Sequence, residues 1–486
     1  MAIPGPAAEV ETIKSAVSKH FTIYDVRVNY DALVFFISPD FSTLDKRFEL
    51  LRTEFKTHML VPVLKYSGGE YTITVVKRPE LKTRGLWLNS ILLVITLVTT
   101  VIAGASLWAS YTGNNDLLRP ENYLWGGLFF ALPLMTILGT HELSHYLAAR
   151  RCGVAASLPF FIPSIPPLGT FGAFISLRDP IPDRKSLIKI GAAGPIGGLL
   201  VTIPVTLIGL WLTSMGEPTT GMVGDSGSVA IMIQPLYALL AMFIPLPENV
   251  TLHPTAFAAW VGFLVTAINL LPAGQLDGGH VARGLLGDKS KYLSYATVVL
   301  LLVLGLYYSG WLLFALLIVF LGLKHPAPLN DVSKLDVKMK ALGVFALAIL
   351  LVTFSPIPLV EIAPDHSFDI EISGGNETIM MAGSSVYITM YVNNTGNTNS
   401  TMKMNIMQVP GDWQASLYLQ GDPEGNATDL LNVIVPYDEG IVVIMKIAVP
   451  LGEENASWPL VLEITSLNSN LSTYQDEEMI FTVKVE

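Results

Sequence analysis

Long apolar runs alternate with short polar segments through the middle of this chain, and the pattern changes at both ends. Six runs reach or approach the roughly 20 helical residues that cross a bilayer. They are residues 86–111, 123–149, 187–213, 254–271, 292–308 and 339–359. Residues 311–323 form a shorter run, but Tyr308-Ser309-Gly310 before it has the composition of a turn between two helices, so the pattern predicts a seventh span. Residues 228–246 are also apolar, but Gln234, Pro235 and Pro245 interrupt them, and a re-entrant or interfacial segment is expected there. Ahead of the first run, residues 8–19 and 43–57 have helical spacing, while 21–28, 32–37, 59–65 and 71–77 read as strands. From Ser367 onward, short alternating runs such as SVYITMYVNN, STMKMNIMQV and GIVVIMKIAVP stand between Gly, Asn and Pro turns, the pattern of an antiparallel β-sandwich. The expected architecture is a multi-pass α-helical membrane protein. A small α+β domain occupies residues 1–84, a membrane-embedded domain 85–362 and an all-β sandwich 363–486.

Composition supports the spans. Hydrophobic residues make up 51% of the chain and charged residues 14%, which excludes an ordinary soluble protein. The net charge of −11 is unevenly spread. From Glu361 onward there are three Lys and no Arg against eighteen Asp and Glu, so the rest of the chain is slightly basic. The two parts are expected to face different surroundings, and no basic helix or stacking platform suggests nucleic acid as a partner. Cys152 is the only cysteine, so any metal site must be built from His and carboxylates. The N-terminus, polar and mixed in charge, reads as neither a cleavable signal nor a transit peptide.

Charge also orients the spans. Lys77, Arg78, Lys82 and Arg84 precede the first, and Arg150, Arg151, Arg178, Arg184, Lys185 and Lys189 lie between the second and third. Arg283, Lys289 and Lys291 lie between the fourth and fifth, and Lys324, Lys334, Lys338 and Lys340 between the sixth and seventh. Residues 190–282 contain no Lys or Arg. By the positive-inside rule the N-terminal domain is cytoplasmic and the sandwich extracytoplasmic. Six N-x-S/T triplets, at Asn376, Asn393, Asn399, Asn426, Asn455 and Asn470, fall in the C-terminal segment, and the other, at Asn249, falls in a predicted outer loop.

HELSH, residues 141–145, ends the second apolar run. On a helix, positions four apart share one face about 6 Å apart along the axis, so His141 and His145 can hold one metal with Glu142 beside them. Two imidazoles and a carboxylate suit zinc, with a fourth position left for water, whose proton Glu142 can take and pass to a leaving amine. The same five letters on a soluble helix would be a chance match. At the end of an apolar run, ionisable groups are costly and functional. NLLPAGQLDGGH, residues 269–280, supplies Asp277 as the third ligand. Spans two and four both run inward, which brings its end to the same side as HELSH. Asp277 alone would read as a turn residue. Asn269 reads either as a donor to a scissile carbonyl or as a helix-packing amide. His280 is expected beside the ligands or at the surface. GTFGAFISL, residues 169–177, reads as a membrane-dipping strand that could hold an extended substrate, or equally as a short cytoplasmic hairpin. Gly191, Gly194, Gly197 and Gly198 in the third span are expected to permit close helix packing.

With HELSH and N-x-x-P-x-x-x-x-D-G at 269–278 in this order, the chain resembles the site-2 protease family of intramembrane zinc metalloproteases. LPFFIPSIPPLGTFGAFISLRDPIPDR and GAAGPIGG are similar to its archaeal, cyanobacterial and chloroplast branch. The resemblance implies His141, His145 and Asp277 as ligands of one zinc, Glu142 as catalytic base and Asn269 as the site asparagine. It also implies cleavage of a single-span membrane protein in or near the lipid bilayer, after another protease has trimmed that substrate. No PDZ-like insertion or CBS-like tail is found. NNTGNTNSTMKMNIMQVPGDW resembles the immunoglobulin-like sandwiches of archaeal surface proteins and some sugar hydrolases. Two competing readings are a membrane metal or ion transporter and a non-catalytic surface receptor that binds through its sandwich. The compact one-sided cluster without an inverted repeat counts against the first, and the intact Glu142 against the second.

Overall fold

The computed structural model describes residues 6–29, 32–78, 86–113, 116–216, 228–247, 250–422, 427–452, 456–467 and 473–485. Lys82, Arg84 and the triplet asparagines Asn249, Asn426, Asn455 and Asn470 lie outside them. The chain forms two compact units. One is built from Met1–Gly216, Met232–Pro247 and Thr251–Pro358, the other from Glu217–Ile231, Glu248–Val250 and Leu359–Glu486.

The first unit opens with helix α1 (Pro6–Ser18), strands β1 (Thr22–Asn29) and β2 (Ala32–Ser38), helix α2 (Leu44–Thr57), and strands β3 (Leu60–Ser67) and β4 (Glu70–Lys77). The strands form one antiparallel sheet in the order β1-β2-β4-β3. Leu44, Phe48, Leu51 and Phe55 recur at helical spacing along α2 and are buried with Phe35, Leu64 and Ile73 of the sheet. The β3 edge would present unpaired backbone groups. Residues 329–331 cover it, because Leu64 N–H donates to Leu329 O at 2.7 Å and Asp331 N–H to Leu64 O at 3.2 Å. The buried carboxylate of Asp179 accepts from Arg78 and from Ala155 N–H, which fastens this sheet to the segment just beyond the 160–174 hairpin.

Helix α3 (Leu86–Tyr111) crosses α4 (Pro120–Gly126) at a glycine pair. A Cβ on Gly126 would overlap the backbone of Gly104, and the reverse holds too, so the two helices meet backbone to backbone. A π-helical turn, Gly127–Ala131, then leads into α5 (Leu132–Arg151). Pro133 explains that turn. It lacks the N–H that an α-helix would donate to Phe129 O, and Thr255 Oγ1 donates to that carbonyl instead, at 2.7 Å. After a two-stranded hairpin of β5 (Phe160–Pro163) and β6 (Thr170–Phe174) comes α6 (Arg184–Ser214), capped by the Asp183 carboxylate on Ser186 N–H at 2.7 Å.

Beyond α6 the apolar run at 228–246 is broken. It forms β7 (Ser228–Ile231) and α7 (Pro235–Ala241), about 10 Å of helix, too short to cross a bilayer. Helices α8 (Pro254–Leu270), α9 (Asp277–Leu286), α10 (Ser290–Leu304), α11 (Gly310–Leu321) and α12 (Val337–Thr353) complete the unit. Among the described residues, three helical stretches are long and apolar enough to cross a membrane: Trp87–Tyr111, Pro120–Arg151 and Arg184–Ser214. Helices α8 and α11 are apolar but shorter.

In the second unit, β8 (Leu359–Ile362) pairs with β7. There follow β9 (Phe368–Ser373), β10 (Glu377–Met380), β11 (Ser385–Asn394), β12 (Ser400–Gln408), β13 (Gln414–Leu419), β14 (Leu430–Val435), β15 (Gly440–Ala448), β16 (Ala456–Leu467) and β17 (Thr473–Val485). They make a five-stranded sheet, β10-β17-β16-β12-β14, and a four-stranded sheet, β13-β15-β11-β9. Their alternating inward residues, among them Met390, Met404, Met445 and Leu462, share one core.

The glycine crossing yields a test. Gly126→Val should force α3 and α4 apart and cost about 1–3 kcal/mol. Gly127→Ala, whose Cβ would sit 3.7 Å from Val101 in ordinary contact, should be close to neutral. Thermal unfolding of the two variants in detergent should show a lowered midpoint for the first alone.

Candidate metal centre

Helix α5 carries His141, Glu142 and His145 on its buried side; the three residues are 3%, 6% and 5% exposed. After α8 the chain turns through Pro272, and Asp277 opens α9, where the positive end of the helix dipole favours a carboxylate. His141 Nε2 lies 3.2 Å from Asp277 Oδ2, and His145 Nε2 lies 3.0 Å from the same oxygen. The two Nε2 atoms are 3.1 Å apart. This near-equilateral triangle brings together the three sequence-predicted ligands. A tetrahedral zinc with bonds of about 2.0–2.1 Å has ligand–ligand edges of about 3.3–3.4 Å, so the donor set and its spacing fit that ion.

The supporting contacts set the state of the ligands. His145 Nδ1–H donates to Ile190 O of α6 at 2.7 Å, which leaves the Nε2 lone pair directed at the cluster. Helix α6 approaches closely because Gly194 faces the ring: a Cβ there would overlap the His145 imidazole. Gly191 faces the backbone of Asp277, where a Cβ would come within 2.9 Å of the carbonyl oxygen. The glycines thus pack helices, as expected, and they make room for the residues of the candidate site.

Glu142 borders the hairpin, lining both cavities together with Ala173 of β6. Asn269, near the end of α8, makes no side-chain hydrogen bond to a described residue and is open to the same space. His141, Glu142, Ala173 and Asn269 line two cavities that meet at the cluster. One, of about 240 Å³, is walled by apolar side chains of α5, α8 and α11. The other, of about 500 Å³, is bordered by Ser176, Gln275, Asp277 and His280. Strand β6 runs past both and, among the described residues, pairs on one side only, with β5.

His280, expected beside the cluster or at the surface, borders the second cavity with Nδ1 bonded to Leu276 O at 3.0 Å, and its ring centroid is 4.3 Å from that of His325, which was not assigned from sequence. Burial and the neighbouring His280 hold the His325 imidazole down at about 3, so it stays neutral at physiological pH. Ile190 acts through its backbone carbonyl, which carries no residue-type signal. Trp311 and Phe314, read only as parts of a short span, form a wall of the apolar cavity.

Comparison with known proteins follows the same interval. Residues 129–307, which include both motifs, match the peptidase family M50 model. The chain is 33% identical over 237 residues to the probable zinc metalloprotease EGY2, chloroplastic, of Arabidopsis thaliana, covering 48% of this chain and 42% of that protein. It is 33% identical over 251 residues to the probable zinc metalloprotease EGY1, chloroplastic, of the same plant, covering 50% and 45%. The chain therefore spans less than half the length of these curated relatives. Among solved structures, the major pilin subunit BcpA of Bacillus cereus matches 26% of this chain and 41% of its own at 10% identity and a TM-score of 0.20, too low to carry an argument. Motif order, the convergence of His141, His145 and Asp277, and the family match point the same way: residues 129–307 are similar to the peptidase family M50 domain, and the relatives named above are probable zinc metalloproteases.

Proposed function

We propose that this protein is an intramembrane zinc metalloendopeptidase that hydrolyses peptide bonds of single-span membrane proteins within or near the bilayer, in regulated proteolysis. The observation that carries the reading is the convergence of His141, His145 and Asp277 beside Glu142 at the junction of two cavities, one of them apolar. One zinc per chain, held by those three residues, would supply Lewis-acid polarisation and make water acidic near neutral pH. Glu142 takes a proton from the attacking water as its oxygen adds to the scissile carbonyl carbon. It returns that proton to the leaving nitrogen as the C–N bond breaks, which gives a carboxylic acid and an amine. The Asn269 amide donates to the carbonyl oxygen as negative charge develops there. An extended substrate segment adds to the free edge of β6, because a helix would keep its carbonyls paired.

In this proposal the membrane domain, residues 85–362, crosses the bilayer seven times in a cell membrane, with residues 1–84 cytoplasmic and the sandwich, 363–486, extracytoplasmic. The distribution of Lys and Arg supports that orientation, and the broken 228–246 segment supports a path that stays on the outer side there. The shorter helices cross as a packed group, α10 and α11 as a hairpin.

Glu142→Gln should keep its zinc while cleavage of a tagged single-span substrate falls at least about 100-fold. Unimpaired cleavage by that variant would refute the mechanism. Protease added to intact cells expressing the protein should remove the sandwich and spare the N-terminal domain. The reverse pattern would overturn the orientation.

A further inference from the structure

The two cavities that meet at the His141–His145–Asp277 cluster differ in character. The inference rests on the protease reading. The smaller cavity is walled by Leu264, Val265 and Ile268 of α8 and by Trp311 and Phe314 of α11. Its floor is rigid: Trp311 is 1% exposed, donates its indole N–H to Pro356 O at 2.6 Å and stacks on Phe354 at 5.1 Å. The larger cavity opens on the other side of the same residues, with Ser176, Gln275 and His280 at its border. Strand β6 spans the junction, its Thr170–Ala173 part lining the apolar cavity and Ala173–Phe174 the polar one.

We infer that the enzyme cuts at a boundary in its substrate, between an apolar stretch and polar residues, with a large apolar side chain next to the scissile bond seated against Leu264, Val265 and Phe314. A strand laid along β6 advances about 3.3 Å per residue, so residues on opposite sides of the bond fall into opposite cavities. A polar side chain seated against Leu264, Val265 and Phe314 would lose its hydration on that wall, the polar lining residues Thr170, Asn269 and Tyr308 belonging to other parts of the cavity's border. A small one would leave the cavity part-filled, and a shortfall of one or more methylenes costs about 10-fold or more in discrimination.

The test uses the purified full chain with zinc and a set of single-span reporters, identical except at the end of the apolar stretch, where the last residues are Leu, Phe, Ala or Asp. Product masses locate the bond. The wild type should cut at the boundary and favour the Leu and Phe reporters over Ala by at least tenfold, with Asp cut least. Val265→Trp, which fills the cavity, should reverse the Leu-to-Ala preference. Phe314→Ala, which enlarges it, should extend cleavage to a reporter with Trp. Both variants should keep zinc content unchanged. Equal rates across the wild-type series, or cuts in mid-span, would refute the inference, as would preferences that neither variant moves, while leaving the protease reading intact. If the zinc-loaded wild type cuts no reporter at all, the protease reading fails and takes this inference with it.

Discussion

Two imidazoles and two carboxylates are expensive in an apolar helical bundle, and the arrangement of the first unit follows from how that cost is offset. Separated, each of these groups would lose its hydration for no return. Brought within 3.2 Å of one another, His141, His145 and Asp277 share one ligand-sized space, where a divalent cation would compensate the charge and complete the coordination. Everything nearby serves that approach. Helix α6 presents glycine where a side chain would collide with the His145 ring, and it lends the Ile190 carbonyl to fix the tautomer. Asp277 sits at the start of α9, where the helix end favours its charge.

The bundle is held in register by backbone groups that membrane-buried helices cannot leave unsatisfied. Pro133 would leave the Phe129 carbonyl without a donor just before the HELSH helix. The π turn and the Thr255 hydroxyl resolve this together, and the same contact ties the start of α8 to the entry of α5. Since α5 bears His141 and His145 and α8 leads to Asn269 and Asp277, one hydroxyl couples the two halves of the site. The segment just beyond the hairpin is tied through Asp179 to Arg78, which follows β4 of the N-terminal sheet.

Much of this was legible in the sequence because the signals were local and periodic. The α2 face, the alternating strands of the sandwich and the apolar runs all show near neighbours repeating at helical or strand spacing. HELSH and the Asp-Gly-Gly segment were legible as residues that meet, and His141, His145 and Asp277 do lie together. What could not be read depends on distant partners. The run ending at residue 359 stops as a helix at Thr353, because Pro356 and Pro358 cannot continue it, and Leu359–Ile362 pairs as a strand with Ser228–Ile231. Pro133 was a visible signal for the π turn, but its compensation by Thr255 requires the fold. The apolar cavity was illegible because its wall combines α8 with Trp311 and Phe314 from a helix more than forty residues later.

The central claim, that His141, His145 and Asp277 hold one zinc beside Glu142, is open to direct measurement by X-ray absorption at the zinc edge of the purified full chain. The account predicts about one zinc per chain in a low-coordinate shell at about 2.0–2.1 Å, two of its ligands giving the outer-shell scattering of imidazole and none of them sulfur. A zinc bound through sulfur, or one with a fully hydrated shell and no imidazole scattering, would contradict it.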